Sequence, residues 1–172
     1  MQKTDPADGF DDLPRHFARF IRRLAGSDDP GLYLAAALTS SHQQAGHVCI
    51  DLAEIAGTPS PTGDADRPAL EEWLSLLARS PVVGSPGAET PLILDGSRLY
   101  LYRYWQYQHR LARRLRDMMA RSSDLPDTAE VKNRLDQLFP GGSGNGIDWQ
   151  KVAALTALQK PFCVISGGPG TG

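Results

Sequence analysis

The stretch "PGGSGNG", residues 140–146, limits the chain's architecture more than any other segment. Five of its seven residues are glycine or proline. Such a run has no apolar side chain to bury and a large conformational entropy to lose, so it reads as a linker. It divides the sequence into an amino-terminal part, 1–140, and a carboxy-terminal part, 147–172, with 141–146 as the join. The first part is long enough to bury a core of its own; the second is not.

Helical periodicity dominates the first part. "DDLPRHFARFIRRLAG" spaces Leu13, Phe17, Phe20, Ile21 and Leu24 as one apolar stripe, with Asp12 as a cap and Gly26 as the stop. Arg15, Arg19, Arg22 and Arg23 fall mainly off that stripe and are read as a solvated face in preference to a binding surface. Asp29 followed by Pro30 starts a second helix, because proline at the first helical position gives up no needed N–H. Its alanine-rich interior predicts close helix packing. "HVCIDL" carries β-branched residues and predicts a short strand, with Asp51 capping a brief helix after it. Asp66 and Pro68 start a further helix through Leu70, Trp73, Leu74 and Leu77. "SPVVGSPGAETP" reads as a loop. In "LILDGSRLYLYRYW" two apolar runs flank Asp95-Gly96, a hairpin signal. "RYWQYQHRLARRLRDMMARS" turns helical, and "TAEVKNRLDQLF" supplies one more helix through Val131, Leu135 and Leu138. The expected fold class is α+β: mainly helical, with a small β-hairpin or sheet.

After the linker, Asp148 can cap a helix bearing Val152 and Leu155. "PFCVIS" follows, a continuous apolar run of the kind found in buried parallel strands. It leads into Gly167, Gly168, Pro169, Gly170, Thr171 and Gly172. Gly167 and Gly172 take the two glycine positions of the phosphate-binding loop pattern, in which backbone N–H groups point at phosphate oxygens. The lysine and hydroxyl residue that complete the pattern would come next. A flexible glycine-rich tail is the alternative.

Elsewhere the candidates are fewer. The aromatics Tyr104, Trp105 and Tyr107 run into Arg110, Arg113 and Arg114. Three readings apply: hairpin and helix packing, a protein interface rich in hot-spot residue types, or a surface on which single-strand bases stack while arginines meet phosphates. His16, His42, His47 and His109 are scattered, with no metal-ligand spacing to Cys49 or Cys163, and the neighbouring carboxylates Asp11–Asp12 and Glu71–Glu72 point different ways on a helix. No catalytic group or metal site is expected. The net charge of −2 excludes a uniformly basic coat. The amino terminus has no leader pattern and no apolar run is long enough to span a bilayer. Two buried, reduced thiols in a soluble cytoplasmic protein are expected.

"ISGGPGTG" preceded by "DWQKVAALTAL" resembles the start of the motor in superfamily 1 helicases. Upstream, "LAAALTSSHQQAGHVCIDL", "TPLILDGSRLYLYRYW" and "LDQLFP" resemble, in content and order, the amino-terminal domain of the RecD family, the alpha subunits of bacterial exodeoxyribonuclease V (RecBCD). Residues 55–88 and the first dozen contribute little to this likeness. The resemblance implies that 147–172 begin a RecA-like α/β helicase domain that is cut off within its phosphate loop. It implies that Gln150 contacts adenine, in place of being a solvent-facing helix residue. It also implies ATP and Mg²⁺ as cofactors of the intact protein, a 5′–3′ helicase acting on DNA ends. Docking of the amino-terminal domain onto RecC, within a RecB–RecC–RecD assembly, is a further implication, and it favours the interface reading of the aromatic–arginine stretch. DNA would be held by the intact motor. For the 172 residues alone the expectation is no bound cofactor and no ATPase activity.

Overall fold

The computed structural model describes residues 9–59, 67–121, 128–140 and 146–168. Six α-helices and four short strands run in the order α1 (Asp12–Ala25), α2 (Pro30–Gln44), β1 (Cys49–Asp51), α3 (Leu70–Ala78), β2 (Val83–Gly84), β3 (Leu92–Asp95), β4 (Arg98–Leu101), α4 (Tyr102–Met119), α5 (Thr128–Leu138) and α6 (Trp149–Gln159). A 3-10 turn, Leu52–Glu54, follows β1. The chain forms two compact units, 1–109 and 110–172, so α4 belongs partly to each. Among the described residues, no helix is long and apolar enough to cross a membrane.

The first unit is built around α2. Leu32, Tyr33, Ala35, Ala36, Ala37 and Leu38 are all buried, which places apolar side chains on every side of this helix. A helix apolar all round belongs in the middle of a core. The small alanines let α1 and α3 approach closely, and β1 and β4 close another side. Asp29 caps α2: its carboxylate accepts from the N–H groups of Gly31 (2.7 Å) and Leu32 (3.3 Å). Thr39 is buried within the helix and donates its hydroxyl to the Ala35 carbonyl at 2.7 Å.

Helix α1 departs from the expected stripe. Its buried residues are Pro14, Ala18 and Ile21, with Phe17 and Ala25 packed partly against the core. Leu13, Phe20 and Leu24 lie on the exposed side. The apolar set is wider than one contact face, and the side with the small residues is the one that fits against α2. Asp11, not Asp12, stands at the N-cap, and it makes no side-chain capping bond. Gly26 ends the helix as expected, with φ 62° and its N–H returning to Arg23.

The sheet has the order β1-β4-β3-β2. β3 and β4 are the expected hairpin, antiparallel with Leu92 opposite Leu101 and Leu94 opposite Leu99. These four leucines face the helical core. Asp95 pairs with Arg98, so the two-residue turn is Gly96-Ser97, one position later than an Asp-Gly turn. Gly96 has φ 62° at its first position, which a side chain resists. β1 pairs with β4 antiparallel. β2 pairs with β3 in parallel, inside the segment expected to be a loop. Only two residues long, it carries no alternation that periodicity could detect. Gly84 sits where a Cβ would fall 2.5 Å from the Ala88 Cβ and closer still to the Thr90 hydroxyl.

Helix α3 buries Trp73 and Leu77 as expected, and the Trp73 indole donates to the Gly31 carbonyl at 3.0 Å. Asp66, expected at its start, lies outside the described residues, as do linker residues 141–145.

In the second unit, α5 buries Leu135 while Leu138 is exposed, so the expected stripe ends one turn early. α6 begins at the expected cap, with the Asp148 carboxylate accepting from the Lys151 N–H at 3.0 Å. Residues 161–168 form no strand. An apolar run becomes a parallel strand only beside a partner that completes its backbone hydrogen bonds. Here Val164 and Ile165 are exposed.

Candidate functional site

The residues expected to meet a nucleotide lie in the second unit. α6 carries Gln150 in its first turn, exposed, and the chain after α6 returns alongside it. Gln150, Gly167 and Gly168 thereby line one cavity of about 1010 Å³, together with Trp149, Thr156 and Cys163. The glutamine and the first two glycines, 17 and 18 positions apart in the sequence, thus meet at one cavity. A glutamine amide donates and accepts at once, which matches an adenine edge. Backbone without side chains lets phosphate approach closely. Pro169, Gly170, Thr171 and Gly172 lie outside the described residues. No lysine lines the cavity. Lys151, next to Gln150, is ion-paired with Asp136 instead, and this contact holds the Asp136 carboxyl below its usual range. Trp149 and Thr156 had no part in the sequence reading; the adjacency of Trp149 to Gln150 was the available signal.

The aromatic–arginine stretch forms α4, and helical spacing separates its members. Tyr107, Arg110 and Arg114, three and seven positions apart, share one face. Tyr107, Arg110, Arg113 and Arg114 are exposed. Tyr104 is half-buried and its hydroxyl accepts from the Gln43 amide at 2.8 Å. Trp105 stacks on His109 with ring centroids 5.0 Å apart. Packing therefore accounts for Tyr104, while Tyr107 and the arginines face outward.

A polar cluster unnoticed in the sequence sits on β1 and β4. Cys49 and Tyr100 are cross-strand partners. Burial pushes the Tyr100 hydroxyl upward, reinforced by its hydrogen bond to Cys49, while Gln108 opposes the shift. At the other end of the pair, hydrogen bonds from the Ser97 side chain and the Ala53 N–H hold the Asp51 carboxyl below its usual range. Arg98 lies 3.6 Å from it. The contacts tie the strand end to the 3-10 turn, which is a structural role. Both cysteines are free, and both are half-buried where burial was expected, because each lies on a short or unpaired segment at the edge of its unit's packing. Among the described residues, no group of histidine, cysteine and carboxylate side chains could hold a metal ion.

Comparison with known proteins bears on the first unit most directly. Residues 7–100 match the family model described as RecBCD enzyme subunit RecD, N-terminal domain. The chain is 36% identical over 157 residues to the RecBCD enzyme subunit RecD of Mycolicibacterium smegmatis, covering 91% of this chain and 26% of that protein. It is 34% identical over 161 residues to that of Mycobacterium tuberculosis, covering 91% and 25%. The subunit of Haemophilus influenzae is 36% identical over 83 residues, 48% of this chain and 13% of that protein. The chain thus spans about a quarter of the length of the relatives it matches most extensively. Matching along more than half of its residues, the chain belongs to the RecD family, through the family's amino-terminal domain.

Proposed function

We propose that the chain is the amino-terminal part of a RecD-type subunit and acts as its docking module for RecC within a RecB–RecC–RecD complex in the bacterial cytoplasm. The observation that carries this reading is the first unit itself. It has its own closed core, it contains the family-matched residues 7–100, and the glutamine and glycines of the nucleotide reading all lie outside it. A self-sufficient domain without a chemical site is suited to binding a partner. At the end of the first unit Tyr107 is exposed on α4, and the helix continues into the second unit with exposed Arg110, Arg113 and Arg114, residue types that dominate interface energetics.

In this reading the intact subunit is an ATP-dependent 5′–3′ DNA helicase of exodeoxyribonuclease V, acting in double-strand-break repair and recombination. Residues from about 147 belong to its RecA-like motor. The shared cavity of Gln150, Gly167 and Gly168 supports adenine contact by Gln150 and phosphate contact by Gly167 and Gly168, and the loop pattern alone extends the phosphate contact through Gly172. ATP and Mg²⁺ are cofactors of the intact subunit, and the 172-residue chain binds RecC without hydrolysing ATP. A pull-down with RecC tests the docking role, comparing the unmodified chain with Trp105→Ala and Arg113→Ala. Binding weakened by the substitutions supports it, and no binding by the unmodified chain rules it out. ATP turnover by the chain alone contradicts the division of labour.

A second reading rests on Tyr107, Arg110 and Arg114 sharing one exposed face, a layout that also suits single-stranded DNA. Its mark is an affinity for oligonucleotide that falls steeply with salt. A flat response removes it.

A further inference from the structure

Helix α1 presents an apolar ridge that stays about half exposed. Leu13, Phe20 and Leu24 are 57%, 50% and 52% exposed. Spaced by seven and four positions, they stand in line on one face. Single exposed leucines are ordinary, but three large apolar side chains in register along about three turns form a strip. The helix has already buried its other face through Pro14, Ala18 and Ile21, so the strip is surplus to the unit's core.

Beside the ridge lies a basic concavity of about 610 Å³, lined by His16, Arg19, Arg22, Arg23, Ser27 and Asp28. Asp12–Ala25 carries four arginines and one aspartate. With Asp11 before the helix and Asp28 on the concavity wall, and with Arg15 ion-paired to Asp12 and Arg22 to Asp28, the excess of positive charge is modest, in a chain of net charge −2. Arg22 is ion-paired with Asp28 on the concavity's wall, so a carboxylate is already held by this surface.

We propose that this face of α1 is a second docking surface, and that its occupant is a protein segment of acidic, apolar character, such as an amphipathic helix with carboxylates beside its apolar stripe. The inference deepens the docking reading and rests on it. Apolar helices pack by laying one stripe into another, and opposite charges along the edge fix register and speed encounter. Leu13 and Leu24 offer nothing to a phosphate backbone, which sets a protein above a nucleic acid as the occupant.

The test measures binding of the full 172-residue chain to RecC, with Phe20→Asp, Leu24→Asp and the double variant Arg19→Glu/Arg23→Glu beside Trp105→Ala. All five positions are on the surface or half-buried. Circular dichroism and melting temperature identify any variant that fails to fold. The charge variant leaves the apolar strip intact and keeps the test open if the aspartates unfold the domain. The expected result is a loss of ~10-fold or more in affinity for Phe20→Asp and Leu24→Asp, the order of an interface anchor. For the charge variant we expect slower association and a weaker salt dependence. Unchanged binding by folded α1 variants overturns the inference while leaving the docking reading in place. No binding by the unmodified chain overturns both. Self-association that Phe20→Asp abolishes, or oligonucleotide binding that the charge variant abolishes, assigns the face to another occupant and also overturns it.

Discussion

Trp73 shows how one residue can carry two jobs. Its ring is fully buried at the centre of the first unit, and its N–H satisfies the Gly31 carbonyl at the start of α2. Helical spacing in the sequence placed Trp73 on a buried face; it could not supply the partner 42 positions away. Trp73→Phe is expected to lose both that bond and some packing volume, lowering stability by about 1–3 kcal/mol. Urea denaturation measures it. Asp51 was legible as a cap because a carboxylate before a short helical run accepts backbone N–H groups. Its bonds to Ser97 and Ala53 lower its pKa in the folded state. A lowered folded value means that the stabilisation is complete above about pH 4, the unfolded range, and is lost as pH falls through the folded value. Asp51→Asn keeps a capping oxygen but loses the charge that its donors and Arg98 favour, so it should cost up to about 1 kcal/mol at neutral pH and flatten the acid limb of the stability curve. Denaturation at pH 7 and pH 3 checks both; an equal gap between wild type and variant at the two pH values contradicts the assignment.

At the level of elements, the outcome depended on whether the signal was local. The starts of α2 and α6 were legible because Asp29 and Asp148 cap neighbouring backbone. The β3–β4 hairpin was legible because two apolar runs flank a turn-forming glycine. The face of α1 was not, because five apolar residues exceed what one contact consumes, and only the presence of α2 decides which are used. β2 escaped notice because its support comes from β3 and from the close passage of Gly84 against Ala88 and Thr90. Residues 161–166 form no strand for the converse reason: an apolar run alone does not supply a neighbouring strand, and among the described residues the second unit contains no strand to pair with it. Gly84 offers a direct test of how β2 is held. Gly84→Ala adds a Cβ in a place already filled, with cost expected near 1–3 kcal/mol unless the 88–90 segment moves. A thermal melt of the variant reads this. An unchanged melting temperature would mean that the segment yields freely and that β2 is not fixed by that contact.

For the molecule as a whole, the glycine-rich run divides the sequence at 141–146, whereas the structure's two compact units divide at 109/110, and those units differ in how they are stabilised. The first has a buried cluster spanning three helices and the sheet. In the second, Leu135 is the only buried large apolar side chain among the described residues, and Trp149, Val152, Val164 and Ile165 are exposed. Its helices α5 and α6 are each 11 residues long, below the length at which a helix is stable without packing. The Lys151–Asp136 pair joins them, but a partly exposed ion pair adds little. Unfolding should therefore not be two-state. In a Trp105→Phe/Trp149→Phe variant, fluorescence reports Trp73 and hence the first core alone. Far-UV circular dichroism reports helices of both units. The expected result is a circular dichroism signal that begins to fall at lower urea concentration than the Trp73 transition, since α5 and α6 melt before α2 loses its core. On the proposed docking reading, adding RecC should move the Trp73 midpoint upward, because a partner that binds the folded first unit stabilises it. Coincident transitions would show instead that the second unit's helices draw their stability from the first unit's core, and the two-unit account of this chain's energetics would have to be abandoned.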